Sequence, residues 1–113
     1  MSRAFLLEPT SLPTDKAEKF GQIVLMYDHV SMHPNPFSAE FQVRVVAKLK
    51  NLGFDHSEDY LILSGRMTAL ITMVAAVVAE WGSARALIWD ARDDIRDYRE
   101  VEMGPQSLEG AMT

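Results

Sequence analysis

Tyr60 to Tyr98, YLILSGRMTALITMVAAVVAEWGSARALIWDARDDIRDY, is the stretch whose reading decides the fold. Tyr60-Leu61-Ile62-Leu63-Ser64 is a short apolar run that Ser64-Gly65 breaks, the pattern of a buried strand ending in a turn. From Arg66 to Trp81 only Arg66, Thr68, Thr72 and Glu80 are polar, which predicts a helix apolar on nearly every face. Arg85-Ala86-Leu87-Ile88-Trp89-Asp90 reads as a second buried strand. Ala91-Arg92-Asp93-Asp94-Ile95 turns the chain into a return strand near Asp97 to Met103. That last strand alternates, with Tyr98, Glu100 and Glu102 on one face and Arg99, Val101 and Met103 on the other. So much charge belongs at a sheet edge, where it discourages pairing with another edge. A link of about twenty residues containing a helix suits a right-handed crossover between parallel strands.

Working back towards the N-terminus, Arg3 to Leu7 is a short apolar run stopped by Glu8-Pro9. It is a first strand whose direction the sequence leaves open. Thr14 is placed to cap a brief helix over Asp15 to Phe20, and Gly21 ends it. Gln22 to Asp28 is nearly continuous in apolar residues, as a strand buried on both faces would be. After a loop holding His29 and His33, Asn35-Pro36 opens a helix that runs from Phe37 to Leu52. Phe41, Val45, Leu49 and Leu52 share one face of it, and Glu40 with Arg44 forms an i,i+4 pair on another. Gly53 supplies the left-handed helix end, over which Phe54 can pack back. Asp55 to Asp59 is a charged, solvent-facing connection into the Tyr60 strand. The expected architecture is α/β: a small Rossmann-like sheet of four or five mostly parallel strands in two or three layers, with an antiparallel C-terminal edge hairpin. Residues 1–103 form one domain and residues 104–113 a flexible tail.

The bulk composition narrows the function. With 113 residues, 48% hydrophobic and 24% charged, the chain can form one real core without staples. It has no cysteine, so disulfide frameworks and thiolate metal sites are excluded. A net charge of −5 lacks the basic excess that drives phosphate-backbone binding, which disfavours nucleic acid as a partner. Glu8-Pro9 interrupts the first apolar run, so no signal peptide is legible, and the longest apolar run, Met73 to Ala79, falls far short of the ~20 residues a membrane span needs. A soluble cytoplasmic protein without membrane association is expected.

In open α/β sheets ligands bind beyond the carboxyl ends of the strands. Three such ends can be read: Asp28-His29, Ser64-Gly65-Arg66 and Asp90-Ala91-Arg92. The middle one is the sharpest. Gly65 permits close backbone approach, the helix behind it presents free N–H groups, and Ser64 and Arg66 add a hydroxyl and a guanidinium. This combination suits a phosphate or carboxylate, so Asp28, His29, Ser64, Gly65, Arg66, Asp90 and Arg92 are the ligand-binding candidates. The plainer alternative is that Ser64 or Gly65 only caps the helix. There is no dinucleotide fingerprint, no phosphate loop and no nucleophile elbow around Ser64. No catalytic residue, cofactor or metal is expected. His29 and His33 have metal-ligand spacing for a helix, but Pro34 takes His33 out of helical geometry. His56 stands among acids and is expected in solvent, while Trp81 and Trp89 are expected as core or interface anchors. Thr68, Thr72, Ala75, Ala76 and Ala79 give the long helix one small face, a candidate surface for self-association.

The order of short motifs carries a resemblance. Lys19-Phe20-Gly21 before an apolar strand, Asn35-Pro36-Phe37, Asp59-Tyr60-Leu61-Ile62-Leu63-Ser64-Gly65, Leu87-Ile88-Trp89-Asp90 and the Tyr98 strand follow one another over residues 16 to 102. This pattern resembles small proteins of bacteriophage and prophage genomes, in which the two strands flank an Ala-rich helix. The chain departs from it by placing Arg66-Met67 where the family pattern has a polar residue and proline, which touches the candidate anion site directly. The resemblance implies a phage origin and phage roles, such as blocking or sequestering a host factor or assembling with other phage proteins. Two functions are therefore expected: a non-enzymatic, homo-oligomeric interaction protein that binds a host or phage factor, or a binder of a nucleotide or other small phosphate compound at Ser64-Gly65-Arg66.

Overall fold

The computed structural model describes residues 2–27 and 39–105. Asp28, His29, His33, the Asn35-Pro36 helix start and the tail beyond Pro105 lie outside the described residues. The elements in chain order are β1 (Arg3–Leu6), a 3-10 helix (Thr14–Phe20), β2 (Gln22–Leu25), α1 (Ala39–Asn51), β3 (Tyr60–Ile62), α2 (Met67–Trp81), β4 (Ala84–Asp90) and β5 (Asp97–Met103). They build one five-stranded sheet in the order β2-β1-β3-β4-β5. The pairs β1–β2, β1–β3 and β3–β4 are parallel, and β5 closes the far edge antiparallel to β4. The mostly parallel α/β sheet with an antiparallel edge hairpin is therefore present.

Strand placement differs from the sequence reading at one point. The Gln22 strand, whose apolar run suggested burial on both faces, is an edge strand: Gln22 is exposed and Leu25 is 44% exposed. The interior place beside it belongs to β1, where Ala4, Phe5 and Leu6, with Leu7 directly after, are all buried. The reason is pairing. β1 lies between β2, in register Arg3↔Gln22, and β3, in register Ala4↔Tyr60, so both its faces and both its edges are covered. The β2 ladder outlasts its strand, with Met26 N–H donating to Leu6 O at 2.8 Å and Tyr27 N–H to Leu7 O at 3.1 Å.

The alternation along β1, β3 and β4 separates two cores. Phe5, Leu7 and Leu61 join Phe41, Val45 and Leu49 of α1 and Ala69, Met73 and Val77 of α2 on one face. Ala4, Leu6, Tyr60, Ile62 and Leu87 meet Ala17 and Phe20 of the 3-10 helix on the other. Thr14 is not the cap predicted for that helix. Pro13 holds the capping position without a side-chain hydrogen bond, and Lys16 N–H reaches Pro13 O in a 3-10 pattern at 3.2 Å. Its lysines instead fasten it to the hairpin: Lys19 pairs with Asp97, and Lys16 Nζ donates to Arg96 O at 2.9 Å.

Two further expectations are corrected. Asp59 is not solvent-facing but 2% exposed. Its Oδ1 accepts from Arg3 N–H at 2.9 Å and its Oδ2 from Asp55 N–H at 2.8 Å, with the Arg3 guanidinium 3.5 Å away. His56 does not stand in open solvent: its ring lies nearly parallel to Trp81 at 6.5 Å and 17°. Trp81 in turn packs on Phe54, and Phe54 on Phe5, so the anchoring role read for Trp81 is realised through an aromatic chain into the core. Gly53 ends the α1 segment at φ 76°, and Phe54 folds back with its N–H on Leu49 O, as the sequence reads.

Candidate functional site

β1 and β3 are neighbours in the sheet, but the chain leaves β1 for β2 on one side and returns past it to reach β3 on the other. The strand order reverses between them, and at such a point the connections diverge and leave a crevice beyond the carboxyl ends. A cleft of about 600 Å³ lies there, lined by Glu8, Pro9, Thr10, Ser11 and Leu12 after β1 and by Leu63, Ser64, Gly65, Arg66, Met67 and Leu70 after β3. Ser64, Gly65 and Arg66, read from the sequence as the middle strand end, are thus brought together in one cavity.

Each is held by a partner on the other side. Ser64 is 4% exposed, and its Oγ is hydrogen-bonded to Thr10 Oγ1, which also accepts from Leu12 N–H at 3.2 Å. Gly65 has φ 133°, and a Cβ there would lie 2.9 Å from Glu8 Oε1 and 3.0 Å from Glu8 Cγ. Only glycine lets the Glu8 side chain lie across this turn. Arg66 is the N-cap of α2 and provides no side-chain cap of its own. Glu8 does so from 58 positions away, its Oε1 accepting from Arg66 N–H at 2.8 Å. Glu8 is 1% exposed; its Oε2 accepts no hydrogen bond and lies 3.5 Å from Arg66 Nε.

This geometry bears on the anion reading. A carboxylate already occupies the entry to α2 and takes an N–H there, so a phosphate drawn to that point would meet a fixed negative charge. Glu8 and Thr10 were missed from the sequence, although an acid directly after a buried apolar strand is a signal that it faces whatever lies beyond the strand end.

The third strand end is separate. Asp90 and Arg92 do not line the cleft; they pair with each other, Arg92 Nη2 lying 2.7 Å from Asp90 Oδ2, and Arg99 Nε sits 2.8 Å from the same oxygen. The Arg92 hydrogen bonds, with the charges of Arg92 and Arg99, outweigh partial desolvation and lower the Asp90 carboxyl from 3.8 to about 2. Because the folded-state value is depressed, the stability it contributes is complete above the unfolded value and lost as pH falls from about 4 through 2. A carbon-detected titration of Asp90 should show a midpoint near 2 that returns towards 3.8 in Arg92→Ala. An unchanged midpoint in that variant would assign the shift elsewhere.

The small face of α2 is divided. Thr72 and Ala76 are buried, Thr72 Oγ1 donating to Thr68 O at 2.9 Å, while Ala75 and Ala79 are exposed and Thr68 is half-buried. A helix read as apolar all round is thus not covered all round: Met67 is 74% and Ile71 62% exposed. No helix among the described residues is long and apolar enough to cross a membrane.

Sheet order, the crevice at the order reversal and the bared outer helix define a small Rossmann-like α/β protein with helices on both faces of the sheet. The chain belongs to the Phage Pam3 gp32-like protein family, which it matches over residues 8–105. No curated protein and no solved structure matches it.

Proposed function

We propose that this phage-family chain is a non-enzymatic interaction protein that works as a homo-oligomer and binds a host or phage factor. The observation that carries the proposal is a ridge along α2. Met67, Ile71, Ala75 and Ala79 recur every four residues and all face outward. Two apolar grooves flank the ridge. One, of about 470 Å³, is lined by Val43, Val46 and Ala47 of α1 with Ala76 and Ala79. The other, of about 580 Å³, is lined by Leu63, Leu70, Val74, Val78 and Met103. An exposed apolar surface of this continuity marks an interaction site.

A second copy fits it by shape. Ridges of i,i+4 side chains pack into the grooves of another such helix at about −50°. The large residues stand at the start of the ridge and the small ones at its end. A two-fold axis near Met73, running α2 against its mate, therefore sets Ile71 of each copy over Ala75 of the other, large against small. The alternative route, β5 against β5, is poor. A two-fold register centred on Glu100 opposes like charges, and one centred on Arg99 does the same.

The test is sedimentation at high micromolar concentration with Ile71→Glu as the variant. The wild type should sediment as a dimer or a higher symmetric species. Ile71→Glu, a change at an exposed position, should give a folded monomer with dimer affinity reduced at least ~100-fold, as expected for a charge buried at an interface centre. A monomeric wild type at that concentration refutes self-association through α2.

A further inference from the structure

The sheet has two open edges, β2 and β5, and they are dressed differently. β5 carries Asp97, Arg99, Glu100 and Glu102, charges that keep another strand from pairing with it. At the other edge Gln22 to Tyr27 holds no charged residue. The direction of its backbone groups follows from the ladder. Met26 N–H donates to Leu6 O, and the register sets Ile23 against Ala4 and Leu25 against Leu6. Along a parallel ladder the bonding side alternates, so Val24 turns its N–H and C=O to β1 while Ile23 and Leu25 turn theirs outward. Among the described residues no backbone group meets those of Ile23 or Leu25 on that side. The side chains at this edge are apolar on both faces. Leu25 is 44% exposed on the face it shares with Ile23, and Val24 is half-buried on the other, against the core under α1.

We infer that β2 is where the bound factor docks, by laying an extended segment of its own chain alongside as a further strand of the sheet. The outward N–H and C=O groups name the occupant. A helix spends its own backbone groups internally, whereas a strand offers donors and acceptors at the spacing of Ile23 and Leu25. That segment is uncharged. Its side chains are apolar at alternate positions, one set lying over Ile23 and Leu25 and the other over Val24. The inference rests on the reading that the chain binds a protein factor, and it uses no residue of the α2 ridge.

The probes are short capped peptides that alternate threonine with valine, isoleucine or phenylalanine, titrated into the full chain and followed by amide NMR. Before addition, the Ile23 and Leu25 amides should exchange with solvent faster than those of Val24 and Met26. At least one peptide should shift the amides of residues 22–27 in a saturable way and slow exchange at Ile23 and Leu25, while the β5 amides stay still. The same peptide with proline at alternate positions lacks the donors for a ladder and should not bind. Leu25→Pro removes an outward N–H without taking a bond from β1, and should weaken the peptide about ten-fold. Leu25→Lys, which places a charge on the edge, should weaken it as well and decides the matter if Leu25→Pro fails to fold. Ile71→Glu should bind the peptide as the wild type does, so a failure of self-association through α2 leaves this test standing. The inference is overturned if no peptide shifts the β2 amides at millimolar concentration, if the proline peptide binds equally, or if Leu25→Lys binds as well as the wild type. It is equally overturned if Ile71→Glu self-associates through an interface that Leu25→Lys abolishes, since the edge then belongs to a second copy.

Discussion

Asp59→Ala should cost the protein about 3 kcal/mol of folding stability, a fall in Tm on the order of 10 °C. The carboxylate is 3% exposed and gathers three groups: the Arg3 amide at the start of β1, the Arg3 guanidinium, and the Asp55 amide in the loop after α1. Alanine removes the acceptor and strands both amides at a partly buried edge. It also leaves Arg3 with only its bonds to Leu52 O and Gly53 O. Because the unpaired groups rather than the lost attraction set the size of the effect, Asp59→Asn should recover part of it, keeping an acceptor for one amide. Urea unfolding of the three proteins checks this. Equal stability of Asp59→Ala and the wild type would show that the buried network contributes nothing net, as some buried ion pairs do.

Gly21→Ala should be at least as damaging, although it adds a single methyl group. Gly21 joins the 3-10 helix to β2 with φ 155°, and a Cβ there would lie 2.6 Å from Ser2 C and 2.9 Å from Arg3 Cα. Those are backbone atoms of the neighbouring strand, which cannot rotate away as a side-chain tip can. Relief requires β2 to move off β1, at the cost of the Arg3↔Gln22 end of the ladder. A loss of about 3 kcal/mol or more is expected from the strained backbone and the overpacking combined. Hydrogen exchange should locate it: the amides of β2 and of Met26 and Tyr27 should lose protection before those of β3 and β4. Uniform loss across the sheet would place the strain elsewhere. The contrast with Gly65 is instructive, since there the clash is with the Glu8 side chain.

The sequence was most readable where structure is local. Tyr60 to Tyr98 yielded β3, α2, β4 and β5 nearly residue by residue, because apolar runs, the Ser64-Gly65 break and the charged alternation of the last strand act over a few positions. Gly53 with Phe54 was legible for the same reason. The edge position of β2 was not, because hydropathy reports how apolar a strand is and not which neighbours it has. Val24 and Ile23 are apolar enough for an interior strand, yet only the Ala4↔Tyr60 pairing decides that β1 takes an interior place and β2 the edge. Half of the cleft was legible, the Ser64-Gly65-Arg66 half, from its turn chemistry. The Glu8 half depends on a contact across 58 positions, and so does the burial of Asp59, whose partner Arg3 is 56 positions away. A run of acids such as Asp55 to Asp59 looks solvated when no distant arginine is in view.

The interior place of β1 also governs timing. On a ribosome β1, an interior strand, is made before β3, the middle strand of the sheet that must cover its inner edge. Until Tyr60 has left the exit tunnel, Phe5 and Leu7 can rest only on β2, a short edge strand, and on whatever of α1 has formed. Fast early contacts in this chain are therefore weak ones, and the decisive closure waits for a segment more than fifty positions downstream. A nascent chain in that state exposes apolar surface and is a better client for a chaperone than a finished one.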